Sequence, residues 1–372
     1  MRILYLCTYY HRAMIFRNAI DNLEKRGNKL LAFNAVQKGT VIDPKYEGIM
    51  DEKVVHSECF KKNDRYVYFY KQNKIFNAVK KQIDLKDWEL IHSHTLFNGG
   101  WVAYKLKRDY GIPYVVSVRN VDENVFLRIP FFKKIARKIM RNASGVLFLS
   151  ESYKERFVPK CFSKEEQKII QSKCVVIPNA LEAFWLENKG KPRKRPDKKV
   201  HLLCVGKIDH NKNMRTVIKA AEHLMKKGWD ISFTVVGQVN DERELNILKE
   251  KSFVDILSYK SKEELLDIYR RHDIFVLPSY FETFGRVYAE AMSQGVPVIY
   301  TRGQGFDGFF GEGEVGYSVQ ANGVDEIAEA IERICHNYEN ISTSCIEKCT
   351  YFDAESIAER LEIFYKDAIL LF

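Results

Sequence analysis

The sequence predicts an α/β protein with a Rossmann-like, doubly wound parallel sheet in each half of the chain. Short apolar runs alternate with helix-like segments along almost the whole sequence. Strands that alternate with helices at this spacing form parallel sheets with helices on both faces. At 372 residues the chain is also longer than one hydrophobic core usually supports, so two domains are expected.

The predicted strands are short all-apolar or nearly apolar runs, as expected for strands that are covered on both faces. Those of the first half span 3–7, 30–34, 90–93, 114–118, 145–149 and 174–177. Those of the second half span 201–205, 231–236, 254–257, 274–277 and 296–300. Ligands of such sheets bind outside the carboxyl ends of the strands, so functional residues are sought there.

The segment 188–199 separates the two halves. It is polar, contains glycine and proline and has no hydrophobic period, which predicts an exposed linker. Its composition also allows a nuclear-localisation signal, but a hinge loop is commoner. We therefore predict an N-terminal domain of residues 1–187, a linker of 188–199 and a C-terminal domain of 200–353, followed by a helix with an apolar face over about 354–372.

Composition narrows the class of protein. With 46% hydrophobic and 13% aromatic residues the chain is globular and not disordered. No stretch approaches the roughly 18 apolar residues of a membrane-spanning helix, and the apolar N-terminus is too short for a secretory signal, so a cytoplasmic location is expected. The eight cysteines are dispersed, and only Cys345 and Cys349 are close, without the partners of a zinc site. We predict reduced core cysteines and no metal.

Charge is unevenly distributed. Residues 1–200 carry 40 Lys and Arg against 21 Asp and Glu, whereas residues 201–372 carry 19 against 28. Two basic amphipathic helices are predicted, over 71–81 and 131–141. They are either ordinary helices that cover the sheet or a means of attachment to an anionic membrane, here the inner face of the plasma membrane. A nucleic acid is the less favoured partner because no aromatic and basic platform accompanies the charge.

The most informative motif combines Glu282 and Glu290, which are separated by seven residues where the apolar strand 274–277 meets a predicted helix. Pro278 ends the strand, since it has no N–H to donate. The helix is predicted over 284–293, and the unpaired N–H groups of its first turn suit an anion such as a diphosphate, without help from a metal. Those N–H groups belong to Phe284, Gly285, Arg286 and Val287.

A second motif follows the strand 201–205. It begins at Gly206 and Lys207 and ends at Lys212 and Asn213. Without a ligand, this motif would be a basic turn before the helix that begins at Met214.

Together these motifs resemble the donor site of retaining glycosyltransferases of family 4, and the resemblance extends over residues 1–370. It implies a GT-B fold, in which two Rossmann-like domains face each other across a cleft and the last helix crosses back to the first domain. The family binds the nucleotide sugar mainly on the C-terminal domain and the acceptor on the N-terminal domain.

The resemblance implies a role for each matching residue. Glu282 would lie near the donor sugar and its anomeric carbon, and Glu290 would accept hydrogen bonds from the ribose hydroxyls. Lys207 and Lys212 would hold the diphosphate, with Lys207 where arginine is usual, so charge is kept but bidentate geometry is lost. Tyr259 lies where family members contact the base, although loop polarity alone would explain it.

The first half departs from the family pattern. The loop 8–13 lacks the usual glycine pair. Arg119 stands where a histidine normally touches the donor sugar and is expected to bind an anionic group, such as a lipid phosphate or an acidic sugar. His92 and His94 are either a polar cleft wall or a metal pair, and the wall is favoured. In the second half, the loop 303–308 stands where family members usually have a loop that contacts the hydroxyls of the donor sugar. This departure leaves the identity of the donor sugar open.

The predicted activity is a retaining, metal-independent transfer of a hexosyl or N-acetylhexosaminyl group. The donor would be a nucleotide sugar, with a UDP-sugar expected, and no other cofactor. The acceptor would be a saccharide or lipid-linked saccharide in surface polysaccharide assembly. A non-hydrolysing sugar-nucleotide epimerase of the same fold and a catalytically silent sugar-nucleotide-binding protein remain alternatives. A nicotinamide oxidoreductase is disfavoured because neither half carries a Gly-x-Gly-x-x-Gly turn.

Overall fold

The computed structural model describes residues 1–12, 14–42, 47–48, 50–194 and 199–371. The chain divides into two compact units. Unit 1 contains the described residues of Met1–Leu149, together with Lys154–Ala180 and 354–371. Unit 2 contains Ser150–Tyr153 and the described residues of Leu181–Asp353.

Unit 1 is built on a seven-stranded sheet in which every neighbouring pair of strands is parallel. The strand order is β3-β2-β1-β4-β5-β6-β7. The strands are β1 (Arg2–Cys7), β2 (Lys29–Gln37), β3 (Val54–Phe60), β4 (Leu90–Ser93), β5 (Tyr114–Ser117), β6 (Gly145–Phe148) and β7 (Cys174–Val176). The helices of this part of the chain are α1 (Met14–Lys25), α2 (Tyr68–Gln82), α3 (Gly100–Tyr110), α4 (Pro130–Asn142), α5 (Glu151–Cys161) and α6 (Lys164–Gln171).

Unit 2 has a six-stranded parallel sheet in the order β10-β9-β8-β11-β12-β13. Its strands are β8 (Lys199–Val205), β9 (Asp230–Val236), β10 (Val254–Leu257), β11 (Ile274–Leu277), β12 (Val298–Thr301) and β13 (Gly316–Val319). Its helices are α7 (Ala183–Glu187), α8 (Met214–Lys226), α9 (Glu242–Lys249), α10 (Lys262–Arg271), α11 (Arg286–Ser293), α12 (Val324–His336) and α13 (Tyr338–Lys348). Two Rossmann-like parallel sheets confirm the predicted fold class.

The sequence missed two strands, β3 and β13, and both lie at the edge of a sheet. β3 includes His56, Ser57 and Glu58, and β13 includes a glycine and a serine. An edge strand has a neighbour on one side only, so it can carry polar residues, and an all-apolar run is then a poor signal.

The last helix, α14 (Ala354–Leu370), belongs to unit 1. Its Tyr365 hydroxyl lies 3.0 Å from the Tyr5 hydroxyl and 2.6 Å from Nδ1 of His92. Gly145 on β6 makes room for the helix, because a Cβ there would lie 2.5 Å from the Phe364 ring. The end of the predicted helix at 372 lies outside the described residues.

The predicted linker differs from the structure in its first part. Gly190 donates its amide to Ser293 O at 2.8 Å, and the Arg193 guanidinium lies 3.2 Å from Asp273. Residues 188–194 are therefore a packed part of unit 2, and the division between units falls before Leu181 and not at 187. Residues 195–198 lie outside the described residues.

The two basic helices, α2 and α4, cover the sheet of unit 1 with their apolar faces. Ile75, Phe76 and Val79 of α2 are buried. On α4 the buried residues are Ile135, Ala136, Ile139 and Met140. These faces are used within the unit, as in ordinary surface helices. No helix among the described residues is both long and apolar enough to span a bilayer.

Candidate functional site

The predicted donor residues lie at the carboxyl edge of the unit 2 sheet. The chain passes from β8 outward to β10 and then returns to β11, which pairs with β8 on its other side. Loops that follow two such strands leave a crevice in which α/β proteins bind ligands. The loop 206–213 follows β8 and carries the two lysines, and the loop 278–285 follows β11 and carries Glu282.

Two asparagines join these loops. Asn211 donates from Nδ2 to Phe281 O at 3.1 Å and accepts from Phe281 N at 3.0 Å. Asn213 donates from Nδ2 to Pro278 O at 3.0 Å and has a left-handed backbone, with φ of 56°. Both lie in the motif that follows β8, although no role was predicted for either. Their positions after a strand and before a helix were the available signal.

The joined loops bring Lys212 and Glu282 into contact. Lys212 Nζ lies 2.9 Å from Glu282 Oε2, with the side chains 19% and 15% exposed. Burial lowers the pKa of Lys212, but the charge and hydrogen bond of Glu282 outweigh that effect, so the pKa lies above its ordinary value. Lys212 is therefore a permanent cation at the sheet edge. Lys207, in contrast, is exposed.

The loops that carry the lysines and Glu282 are also held by close contacts with neighbouring backbone segments. Glu282 donates its amide to Gln304 Oε1 at 3.0 Å and accepts at its carbonyl from Gly305 N at 2.9 Å. A Cβ on Gly305 would lie 2.1 Å from Thr283 C, and one on Gly237 would lie 1.9 Å from the carbonyl oxygen of Gly206. Only glycine fits these two positions. The loop 303–308, which departs from the family pattern, thus supports the backbone of Glu282.

The helix α11 begins two residues later than predicted. Gly285 precedes it with φ of 78°, a left-handed conformation that cannot continue into the helix. Phe284 is 2% exposed, and its ring packs 5.2 Å from Phe352. The predicted anion-binding turn is therefore corrected. Arg286 and Val287 lie in the first turn of α11, whereas Phe284 and Gly285 lie before it.

Glu290 is half-buried on α11, and its Oε2 lies 3.3 Å from the Tyr269 hydroxyl. Burial raises the pKa of this carboxyl to about 7. Arg286 lies 3.5 Å from Glu182. The predicted base-binding residue Tyr259 is 76% exposed and makes no hydrogen bond or ring contact with the other predicted donor residues in the described part of the chain.

Arg119 lies at the carboxyl edge of the unit 1 sheet, after β5. Asp122 is fully buried and accepts from the amides of Arg119 at 2.8 Å, Leu96 at 3.1 Å and Phe97 at 3.1 Å. Burial raises the pKa of Asp122 to about 6, although the amides act against that shift. Asp122 thus holds the loops after β4 and β5 together, a role that the sequence did not predict.

The Arg119 guanidinium is oriented by unit 1. Its Nη1 donates to Asn179 Oδ1 at 3.0 Å, and its Nε lies 3.4 Å from the carbonyl oxygen of His94. A cavity of about 50 Å³ adjoins Arg119, His94 and Asn179. Arg119 therefore has a fixed position beside a small cavity whose other walls are largely apolar.

His92 and His94 are buried, with ring centroids 4.0 Å apart. His92 is hydrogen-bonded to Tyr365 through Nδ1 and to Ser117 through Nε2 at 2.8 Å. Burial lowers the pKa of His92 to about 3 and that of His94 well below its ordinary value. Both rings are neutral parts of a polar wall. Among the described residues, no group of three potential ligands could hold a metal.

Two family models match the chain. The model described as Glycosyltransferase Family 4 matches residues 19–183, and the model described as Glycosyl transferases group 1 matches residues 187–367. The two matches follow each other and together span nearly all of the chain. They agree with the resemblance inferred from the motifs.

The reported relative and the two solved structures are distant in sequence but align with nearly the whole of this chain. The alpha-monoglucosyldiacylglycerol synthase of Streptococcus pneumoniae is 25% identical over 399 aligned residues, which cover 100% of this chain and 86% of that protein. The sucrose-phosphate synthase of Thermosynechococcus elongatus has a TM-score of 0.74 at 18% identity, with 98% of both chains covered. Anabaena HepE in complex with UDP has a TM-score of 0.70 at 15% identity, with 98% of this chain and 99% of that chain covered. The structures show that the fold is GT-B.

The Lys212–Glu282 contact predicts a stability difference between two lysine variants. Lys212→Met leaves a mostly buried carboxylate without its partner and should lower the unfolding free energy of unit 2 by about 1–3 kcal/mol. Lys207→Met removes the same charge from an exposed position and should change it by less than about 0.5 kcal/mol. Urea unfolding of the ligand-free chain measures both. Equal losses in the two variants would contradict the role of the ion pair.

Proposed function

Because the chain belongs to glycosyltransferase family 4, we propose that it transfers a sugar, with retention of configuration, from a UDP-sugar to a saccharide or lipid-linked saccharide. The transferred group is a hexosyl or N-acetylhexosaminyl group. The observation that carries this proposal is the half-buried Lys212 cation beside Glu282, at the carboxyl edge of unit 2 and with Glu290 on the helix that follows.

The leaving diphosphate determines which charges the donor site must supply. As the bond to the sugar breaks, negative charge develops on the diphosphate, and fixed positive groups lower the barrier. Lys212 supplies a permanent charge, Lys207 an exposed one, and the first turn of α11 the positive end of a helix dipole. In this proposal these groups replace a metal ion, and Glu282 lies beside the sugar.

The nucleoside is assigned to Glu290. A carboxylate can accept from both hydroxyls of a ribose diol, and Tyr269 holds one of its oxygens in place. Uridine is proposed as the base because HepE, a structural neighbour, was crystallised with UDP. On unit 1, Arg119 is proposed to bind an anionic group of the acceptor.

The acceptor is proposed to belong to surface polysaccharide or glycolipid assembly on the cytoplasmic side of the plasma membrane. The name of the pneumococcal relative describes a glucosylated diacylglycerol as its product. The apolar faces of α2 and α4 are buried within unit 1, so membrane contact would involve their ends. Phe69, Tyr70 and Phe131 are 38%, 52% and 50% exposed there, on helices rich in lysine.

Donor binding can be tested before the sugar is known. UDP should raise the thermal midpoint of the wild-type chain, because a ligand of the folded state stabilises it. Lys212→Ala should weaken UDP binding by about tenfold or more and leave uridine binding unchanged, since it removes a charge-assisted contact to phosphate. Glu290→Ala should weaken the binding of both UDP and uridine. If both variants bound UDP as tightly as the wild-type chain, the assignment of Lys212 and Glu290 to a donor site would be contradicted.

The reaction is tested with a panel of UDP-sugars, with and without saccharide acceptors. A transferase should release UDP and form an acceptor product that keeps the configuration of the donor. Conversion of the nucleotide sugar into its epimer without acceptor would instead identify an epimerase. Unchanged transfer by Lys212→Ala would contradict the mechanism.

Glu290 should make nucleoside binding depend on pH. Its pKa of about 7 means that the carboxyl is mostly protonated near pH 6 and mostly ionised near pH 8. Since the ionised form accepts two hydroxyl hydrogen bonds, uridine affinity should rise about threefold to tenfold between these pH values. Uridine has no phosphate to titrate. Calorimetry of uridine binding to Glu290→Gln is the control. The same rise in uridine affinity in that variant would contradict the assignment of the ribose to Glu290.

Membrane attachment is tested by sedimentation with vesicles at low ionic strength. The wild-type chain should bind vesicles that contain phosphatidylglycerol and not vesicles of phosphatidylcholine alone. Phe131→Ser with Lys134→Ser should reduce binding. Ile169→Ser with Lys168→Ser, an exposed pair on α6, is the matched control and should not. If the wild-type chain failed to bind the phosphatidylglycerol vesicles, or if the two double substitutions lowered vesicle binding equally, the membrane proposal would be contradicted.

A further inference from the structure

Unit 1 contains an open cavity of about 760 Å³ at the carboxyl edge of its sheet. Its walls come from the loop after β1, the ends of β2 and β3, the first turns of α2 and the segment that enters α4. Sites for small ligands usually have volumes of about 300–1,000 Å³. The cavity is therefore large enough for a substrate group.

The charged residues that line this cavity are all cations. They are Lys62, Arg65 and Lys71, and the lining contains no Asp or Glu. Lys71 is half-buried, with Nζ 3.3 Å from Asn98 Oδ1 and 4.6 Å from the centre of the Phe60 ring. Burial lowers its pKa to about 8. Lys74, one turn along the helix, has Asp64 at 2.7 Å, whereas no carboxylate pairs with Lys71 in the described part of the chain.

Beside Lys71, the cavity is lined by the buried side-chain amide of Gln72. Gln72 is 0% exposed, and neither its Oε1 nor its Nε2 has a hydrogen-bond partner among the described residues. A buried amide left unpaired is destabilising, and in native proteins such a group calls for an explanation. A ligand with a hydroxyl or phosphate oxygen would supply the missing partner.

The mouth of the cavity is apolar. Tyr66, Val125 and Ile129 line it and are 80%, 57% and 52% exposed. Inorganic phosphate would leave these side chains in water, and a neutral saccharide would leave the Lys71 charge unmatched. An anion joined to an apolar chain matches the ammonium, the amide and the apolar mouth together.

We propose that this cavity binds a lipid phosphate, with the phosphate on Lys71, a neighbouring oxygen of the ligand on Gln72 and the chain along Tyr66, Val125 and Ile129. The inference rests on the proposed function, for which it specifies a lipid-phosphate acceptor. It assigns the lipid phosphate to this cavity of unit 1 and leaves another anionic group of the acceptor, such as an acidic sugar, to Arg119.

Calorimetry with dodecyl phosphate, below its micelle concentration, tests the inference on the full chain. Binding should saturate at one ligand per chain. Inorganic phosphate and the neutral dodecyl glucoside should each bind at least about tenfold more weakly, since each lacks one half of the ligand. Lys71→Met should weaken dodecyl phosphate binding by about tenfold or more. Lys81→Met, an exposed lysine on the same helix, should change it less than about twofold.

Gln72→Leu separates recognition from a structural role. Replacing an unpaired buried amide by an apolar side chain of similar size should leave the thermal midpoint unchanged or higher. Binding of dodecyl phosphate should nevertheless weaken severalfold. A lower midpoint with unchanged binding would show that Gln72 is structural and would contradict its assignment to the ligand.

The result for lipid-phosphate binding can be distinguished from the result for the donor site. If UDP stabilises wild-type and Lys71→Met chains alike, the donor proposal stands independently of this cavity. Absence of dodecyl phosphate binding, or equal losses in Lys71→Met and Lys81→Met, would then overturn the inference alone. If UDP stabilises neither chain, the donor proposal fails while the binding of the lipid phosphate is still measured directly.

Discussion

The ion pair between Lys212 and Glu282 is the contact on which the donor site depends. It joins two loops that follow neighbouring strands and are far apart in sequence. Asn211 binds across the gap between the two loops, while Gly237 lets β9 approach Gly206 and Gly305 lets its own loop approach Thr283. Partial burial makes the pair sensitive, since removing either charge leaves the other unmatched in a partly buried site.

The carboxyl edge of unit 1 is organised by a different kind of contact. There a single buried carboxylate, that of Asp122, accepts three backbone amides and fixes the loops after β4 and β5. The Arg119 guanidinium donates to the carbonyl oxygen of His94 and to the side-chain oxygen of Asn179, which fixes its position. The donor edge is thus held by an ion pair between side chains, whereas this edge is held by backbone amides that donate to one carboxylate.

The sequence predicted the central strands of both sheets because they are buried on both faces and their composition shows it. It missed β3 and β13 because edge strands tolerate polar residues. The donor motif was recognisable because its residues are local in sequence. Gln304 and Tyr269 were not, since they act on Glu282 and Glu290 across about twenty residues through hydrogen bonds that no local pattern encodes. The start of α11 was misplaced because the left-handed conformation of Gly285 depends on its neighbours.

The central claim is that the Lys212 ammonium, which contacts Glu282 in the ligand-free chain, binds the diphosphate of the donor. The most direct measurement is the UDP affinity of Glu282→Gln, compared by calorimetry with that of the wild-type chain. The account predicts tighter binding, by about threefold or more, because the substitution removes a negative charge that competes with phosphate for the ammonium. Unchanged or weaker UDP binding in Glu282→Gln would contradict it.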